Sequence, residues 1–171
     1  QGVTGRNLKV DSRPGRTNLA IDGITSESAT VGDARLRNLS AAELRLTDRA
    51  NSTDLNARNL RADRLDVDGN TVTGVEIPSL AVEDTQGATV IYSDTVRVAS
   101  VDAGSAVIGS LNIGGVRVTI RQGRVEARSN AFDAGDVTLA KTESLPSGGT
   151  LENVRVSNPV YILEPSGRYR A

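Results

Sequence analysis

Apolar residues along most of this chain come in pairs two apart, and each pair recurs five residues on. Through residues 55–92 the pairs are Leu55/Ala57, Leu60/Ala62, Leu65/Val67, Asn70/Val72, Val75/Ile77, Leu80/Val82, Thr85/Gly87 and Val90/Tyr92. A helix repeats at 3.6 residues and a flat strand at 2, so neither carries a sustained period of five. The pattern predicts a strand of about three residues, apolar at both ends, followed by a two-residue corner. Stacked coils of such units make a parallel β-solenoid (β-helix), in which neighbouring coils bury one continuous core.

The same spacing begins at Val3/Gly5 and Leu8/Val10, is broken by the turn Arg13-Pro14-Gly15-Arg16, and resumes at Leu19/Ile21. It then runs through Ile24/Ser26, Ala29/Val31, Ala34/Leu36, Leu39/Ala41 and Leu44/Leu46. Residues 49–54 slip the phase by one, as a bulge or a longer corner does. A second slip near Asp94 leads to Val96/Val98, Val101/Ala103, Ala106/Ile108, Leu111/Ile113 and Val116/Val118. Corners such as Asp22-Gly23, Gly32-Asp33, Arg37-Asn38 and Gly114-Gly115 hold the residues that tolerate tight backbone geometry. With four sides per coil, residues 3–118 make roughly six coils about 4.8 Å apart; three sides per coil give a longer rod.

The expected architecture is therefore all-β, with a solenoid over residues 1–118 and a smaller C-terminal β-region over 119–171. In the second region Arg124-Val125-Glu126-Ala127-Arg128 and Asp136-Val137-Thr138-Leu139 alternate as strands with one wet face. Val154/Val156 and Val160/Ile162 are separated by Asn158-Pro159, which predicts an edge strand or two strands with a corner.

Composition narrows the function. The 171 residues carry 20 basic and 21 acidic side chains, a balance that draws in neither nucleic acid nor an anionic membrane. Cys, Met, His and Trp are absent, with three Tyr and one Phe as the aromatics. The usual general base, thiol nucleophile and best zinc ligands are thus missing, and the chain reads as a non-enzyme without cofactor, metal or catalytic residues. No stretch approaches the roughly 20 apolar residues of a membrane span. Gln1 in place of an initiator Met suggests a processed or excised chain, and removal of a secretory signal places the protein outside the cell or at its surface.

Local motifs have plain structural readings. Asp66-Val67-Asp68-Gly69-Asn70 resembles half a calcium loop, but no Glu follows at the distance a full loop requires, so Asp68-Gly69 reads as a corner. Asn70 and Thr85 occupy inward positions and need partners there. Asn38-Leu39-Ser40 and Asn51-Ser52-Thr53 match the N-glycosylation acceptor.

No helical cap precedes Val3, and a solenoid end without one exposes unpaired backbone. A neighbouring subunit, a longer parent chain or residues 119–171 folded back would each cover it. The first option predicts a head-to-tail homopolymer, an extracellular filament, with Val3, Leu8, Val10, Leu151, Val154, Val156, Val160 and Ile162 as subunit contacts. The alternative is a cell-envelope module holding lipid or a protein partner along an apolar β-face.

The run Leu55-Asn56-Ala57-Arg58-Asn59-Leu60-Arg61-Ala62-Asp63-Arg64-Leu65 resembles the pentapeptide-repeat family, over about residues 19–118. The resemblance implies a right-handed quadrilateral β-helix, although the family's small-then-large order is mostly reversed here. Family members that mimic DNA and bind gyrase are strongly acidic, a property that the charge balance of this chain does not share. A second likeness, carried by the alternating strands of residues 119–163, is to the Leu/Arg/Asp-rich segments of bacterial lipid-transfer proteins, whose β-grooves carry acyl chains.

Overall fold

The computed structural model describes residues 2–143 and 145–170, and leaves aside the side chains of Val31, Tyr169 and Arg170. The inward position expected for Val31 and the reading of Gln1 therefore lie outside the described residues. Seven strands come first: β1 (Val3–Arg13), β2 (Arg16–Val31), β3 (Ala34–Arg49), β4 (Ser52–Val67), β5 (Asn70–Thr85), β6 (Ala88–Asp102) and β7 (Ala106–Arg121). Shorter pieces follow as β8 (Arg124–Arg128), β9 (Ala131–Ala134), β10 (Val137–Leu139), β11 (Gly149–Leu151), β12 (Val154–Ser157), β13 (Val160–Leu163) and β14 (Tyr169–Arg170). All belong to one sheet, in which β1 to β8 lie side by side in chain order.

Every pairing is antiparallel, and this overturns the parallel β-solenoid and β-helix expected from the sequence. The chain does not coil; it runs back and forth. Its first five reversals are two-residue hairpins at Pro14-Gly15, Gly32-Asp33, Ala50-Asn51, Asp68-Gly69 and Gln86-Gly87, spaced 18 residues apart, followed by a three-residue turn at 103–105 and a two-residue one at Gln122-Gly123. Asp68 and Gly69 both have positive φ, at 48° and 79°, and Gln122 and Gly123 repeat the arrangement at 48° and 78°. That is the type I′ geometry whose twist matches antiparallel strands. The five-residue rule fixes which side chains share a face, but says nothing about whether a given corner bends the chain or reverses it. The expected solenoid took every corner as a bend.

The remaining corners are creases within the strands. Gly23, Asn59, Gly115 and Asn158 have positive φ along one line across the sheet, and Asn38, Gly74, Ser110 and Asn153 along a second. At a crease two successive residues face outward, so the apolar face advances by three positions rather than two. Val98 with Val101, and Ile108 with Leu111, accordingly join one apolar cluster. Asparagine tolerates the left-handed region because its short polar side chain bonds locally. Here Asn38 Nδ2 donates to Asp63 Oδ2 at 2.7 Å, and Asn7 Nδ2 to Asp22 Oδ2 at 3.3 Å, each across the crease to the next strand.

Two creases divide the sheet into three facets, each carrying two rows of apolar side chains. The two-apart pairs of the sequence are these rows. One row runs Ile24, Ala41, Leu60, Ile77, Val96, Ile113, Phe132, and a neighbouring one Ser26, Leu39, Ala62, Val75, Val98, Leu111, Ala134. Register continues unbroken from β7 into β8, β9 and β10, which together form one interrupted strand. The same sheet thus carries across residue 118.

Candidate functional site

Among the described residues no second layer covers the apolar face. Substantial contacts run only between ladder neighbours, and no helix occurs among the described residues. Total accessible surface is 11207 Å², against about 8,000 Å² for a compact monomer of this mass. Most row residues, including Leu19, Leu44, Leu55, Leu60 and Leu80, are only half-buried.

Full burial is confined to positions beside a crease, where the facets converge: Ser26, Ala41, Ala57, Ala62, Ser93, Val98, Leu111 and Ala134. Most are small, and several stand beside a larger residue across the fold, as Ala57 beside Leu60 and Ser93 beside Val96. Their two serines use one device. Ser26 Oγ donates to the Ser28 carbonyl at 2.8 Å and Ser93 Oγ to that of Thr95 at 2.9 Å, so each ties its own crease. Among the described residues no buried side-chain polar atom lacks a partner. The rows are thus mainly hydrocarbon, and the serines among them are turned onto their own backbone.

One rim of this face is polar. Ser12, Thr17, Asp48, Thr53, Asp84 and Thr89 form a row two positions beyond Leu19 and Leu46 on the same side. Thr53 Oγ1 donates to Asp48 at 2.8 Å and Thr89 Oγ1 to Asp84 at 2.6 Å, while the Ser12 and Thr17 hydroxyls share a bond of 3.2 Å. This row went unseen in the sequence reading, although the 36-residue recurrence of Asp48…Thr53 in Asp84…Thr89 was there to find it.

The opposite face is charged, and much of its charge is paired. Glu43 is held between Arg45 and Arg58, Arg61 meets Glu76 at 3.4 Å, and Arg155 meets Asp133 at 3.1 Å. Arg64 donates to both oxygens of Asp66, which also accepts from Thr71 at 2.9 Å. The Arg64 hydrogen bond, ahead of the smaller contribution of Thr71, lowers the Asp66 carboxyl below its ordinary range, and Asp66 in turn raises Arg64. Tyr92 Oη donates to Asp94 Oδ1, which raises the phenol above its usual value.

The residues expected at subunit contacts fall into three places. Val3, Leu8 and Val10 lie on β1, 74%, 62% and 60% exposed, extending the apolar rows to an edge whose far side pairs with no described strand. Leu151, Val154 and Val156 end the same rows at the other side of the sheet, opposite Val137, Ala134 and Phe132. Val160 and Ile162 instead pair with Arg128 and Glu126 and so stand on the charged face. Nothing in one chain brings the first two groups together.

The motif residues also resolve. Asp68 sits in a hairpin and Asp66 is engaged by Arg64 and Thr71; no group of three or more metal-ligating side chains occurs among the described residues. Asn70 keeps its place in an apolar row, half-buried beside Val67. Thr85 does not: it flanks the Gln86-Gly87 hairpin, is exposed, and bonds the Ala88 carbonyl at 2.9 Å. Val90/Tyr92 is likewise displaced, since Ile91 and Ser93 hold the apolar face there and Tyr92 is 42% exposed. Asn38 lies exposed on a crease, and Asn51 in a hairpin, accepting from Gln86 Nε2 at 3.0 Å in the next turn on that side. No helix among the described residues is long and apolar enough to cross a membrane. Comparison with known proteins found no matching family model, curated protein or solved structure.

Proposed function

We propose that the protein is a binding module that holds hydrocarbon, the acyl chains of lipid, along the apolar face of its creased sheet. The carrying observation is that six apolar rows lie half-buried with no other described element packed on them. Rows crossing nine strand positions extend roughly 38 Å at about 4.8 Å per strand, a length suited to extended chains lying side by side. Burial is worth about 25 cal/mol per Å² of apolar surface, so covering even part of the face stabilises both partners. The Thr/Asp rim gives a wet border where a polar end group meets water. Such a role suits a cell-envelope or secreted protein.

The test is organic extraction of the purified protein with mass spectrometry of the extract, together with titration of a fluorescent fatty acid. Acyl lipid in the extract and saturable probe binding, lost in Leu60→Asp and Ile77→Asp, are the expected results. A lipid-free monomer that ignores the probe ends the proposal.

A second reading is favoured by the exposure of Val3, Leu8 and Val10 on one edge and of Leu151 and Val156 near the other. Copies adding edge to edge would pair main chains and continue the rows into a homopolymeric structural filament. Regular fibres in negative stain that disappear in Leu8→Lys favour it over lipid binding; a concentration-independent monomer mass removes it.

A further inference from the structure

On the charged face, β7 and β8 set arginine directly against arginine twice. Arg117 pairs with Arg128 and Arg121 with Arg124, on either side of Thr119 and Glu126. Like charges directly opposite one another in a ladder are unfavourable. These six side chains line an open groove of about 380 Å³.

The carboxylates within reach do not balance the groove. Glu126 meets Arg128 and, at 3.7 Å, Arg124, which also meets Glu164 at 3.7 Å. Arg117 and Arg121 have no ion pair among the described residues. Four guanidinium groups against two carboxylates leave a surplus of two positive charges on a chain whose net charge is −1. Single arginine pairs of this kind occur elsewhere, Arg64 opposite Arg37 and Arg49 opposite Arg16, and there too one member of each pair meets an acid. Among the described residues, only between β7 and β8 do two such pairs flank one groove. Here two unpaired guanidiniums lie on the same side of Glu126, on one strand, with the Thr119 hydroxyl between them.

We propose that this groove is a binding site for a doubly charged oxyanion, a phosphate monoester. Arg117 and Arg121 donate to it from two sides through their planar forks, and Thr119 donates from the floor. Arginine suits this because its fixed fork matches phosphate oxygens in pairs. Tyr92, opposite Arg117, and Val160, opposite Arg128, border the groove and would take an apolar substituent on the ester. The site lies on the face away from the apolar rows, so it stands or falls independently of lipid binding there.

Titrating inorganic phosphate and phenyl phosphate into the full chain by calorimetry, at constant ionic strength, tests the site. Arg117→Gln and Arg121→Gln each weaken binding about tenfold, as loss of a charge-assisted pair does. Arg121→Lys loses only part of it, and Glu126→Gln tightens it by removing the competing carboxylate. Arg45→Gln, on another facet edge, changes nothing. Flotation with phosphatidic acid vesicles against phosphatidylcholine vesicles separates a lipid headgroup from a soluble ester as the source. Absence of phosphate binding, or equal effects of Arg45→Gln and Arg121→Gln, overturns the proposal. Should an arginine variant lose its strand signal in circular dichroism, Glu126→Gln, with its opposite expected sign, decides alone.

Discussion

Gly74 and Ala99 lie side by side along one crease, on adjacent strands, so closely that a Cβ on residue 74 would stand 2.7 Å from that of Ala99. Gly74 also has a φ of 59°, a conformation in which a β-carbon is strained. Two independent constraints thus meet at one position, one from the backbone and one from the neighbouring strand.

Gly74→Ala should cost about 1–3 kcal/mol in denaturant unfolding, combining left-handed strain with the clash. Adding Ala99→Gly should recover the clash and leave the strain, so the double variant lies between the single one and the parent. If Gly74→Ala unfolds at the parental midpoint, the crease is not held as described.

Ser93 offers a test of the other device. It is 2% exposed, and its hydroxyl bond to the Thr95 carbonyl spans the crease between β6 residues 93 and 95. Ser93→Ala should lower stability by about 1 kcal/mol, the usual net worth of one such bond. An exposed serine such as Ser105 should give a change too small to resolve.

The Asp66 carboxylate links stability to acid. Its folded-state pKa is lowered, first by the Arg64 hydrogen bond, so its contribution is present above the ordinary carboxylate value near 4 and is lost as pH falls through the folded value. Unfolding curves of the parent and Asp66→Asn should therefore differ at neutral pH and converge in strong acid. A difference that stays constant across that window would place the effect elsewhere.

Much of the architecture was legible from residue spacing. Leu55/Ala57, Leu60/Ala62 and Leu65/Val67 do share one face of one strand, as their spacing required, and the chain is all-β. What the spacing did not carry was the angle at each corner. Asp63-Arg64 bends the strand, whereas Asp68-Gly69, five residues later, reverses it, and both interrupt the apolar pattern by two residues. The phase slips hold the missing information. From Leu46 to Leu55 and from Val82 to Ile91 the apolar face advances nine positions, because the strands run three residues past their last apolar pair before and after the two-residue hairpin. Assigning that second slip to Asp94 rather than to Gln86-Gly87 is what put Tyr92 inside. An apolar β-face for lipid or a protein partner stood as the alternative in the sequence, but a solenoid would have closed these rows against themselves, so their extent emerged only with the antiparallel sheet.

The constant distance between hairpins makes the molecule extensible in fixed increments. Deleting or duplicating 36 residues between equivalent points, such as from Ser52 to Gly87, removes or inserts one complete out-and-back excursion and leaves all other side chains with the same orientation. Each such step changes the width of the sheet by about 9.6 Å while its cross-section stays the same. The length of the apolar rows is thus a matter of counting excursions, a quantity that duplication of a gene segment can tune without redesigning any contact.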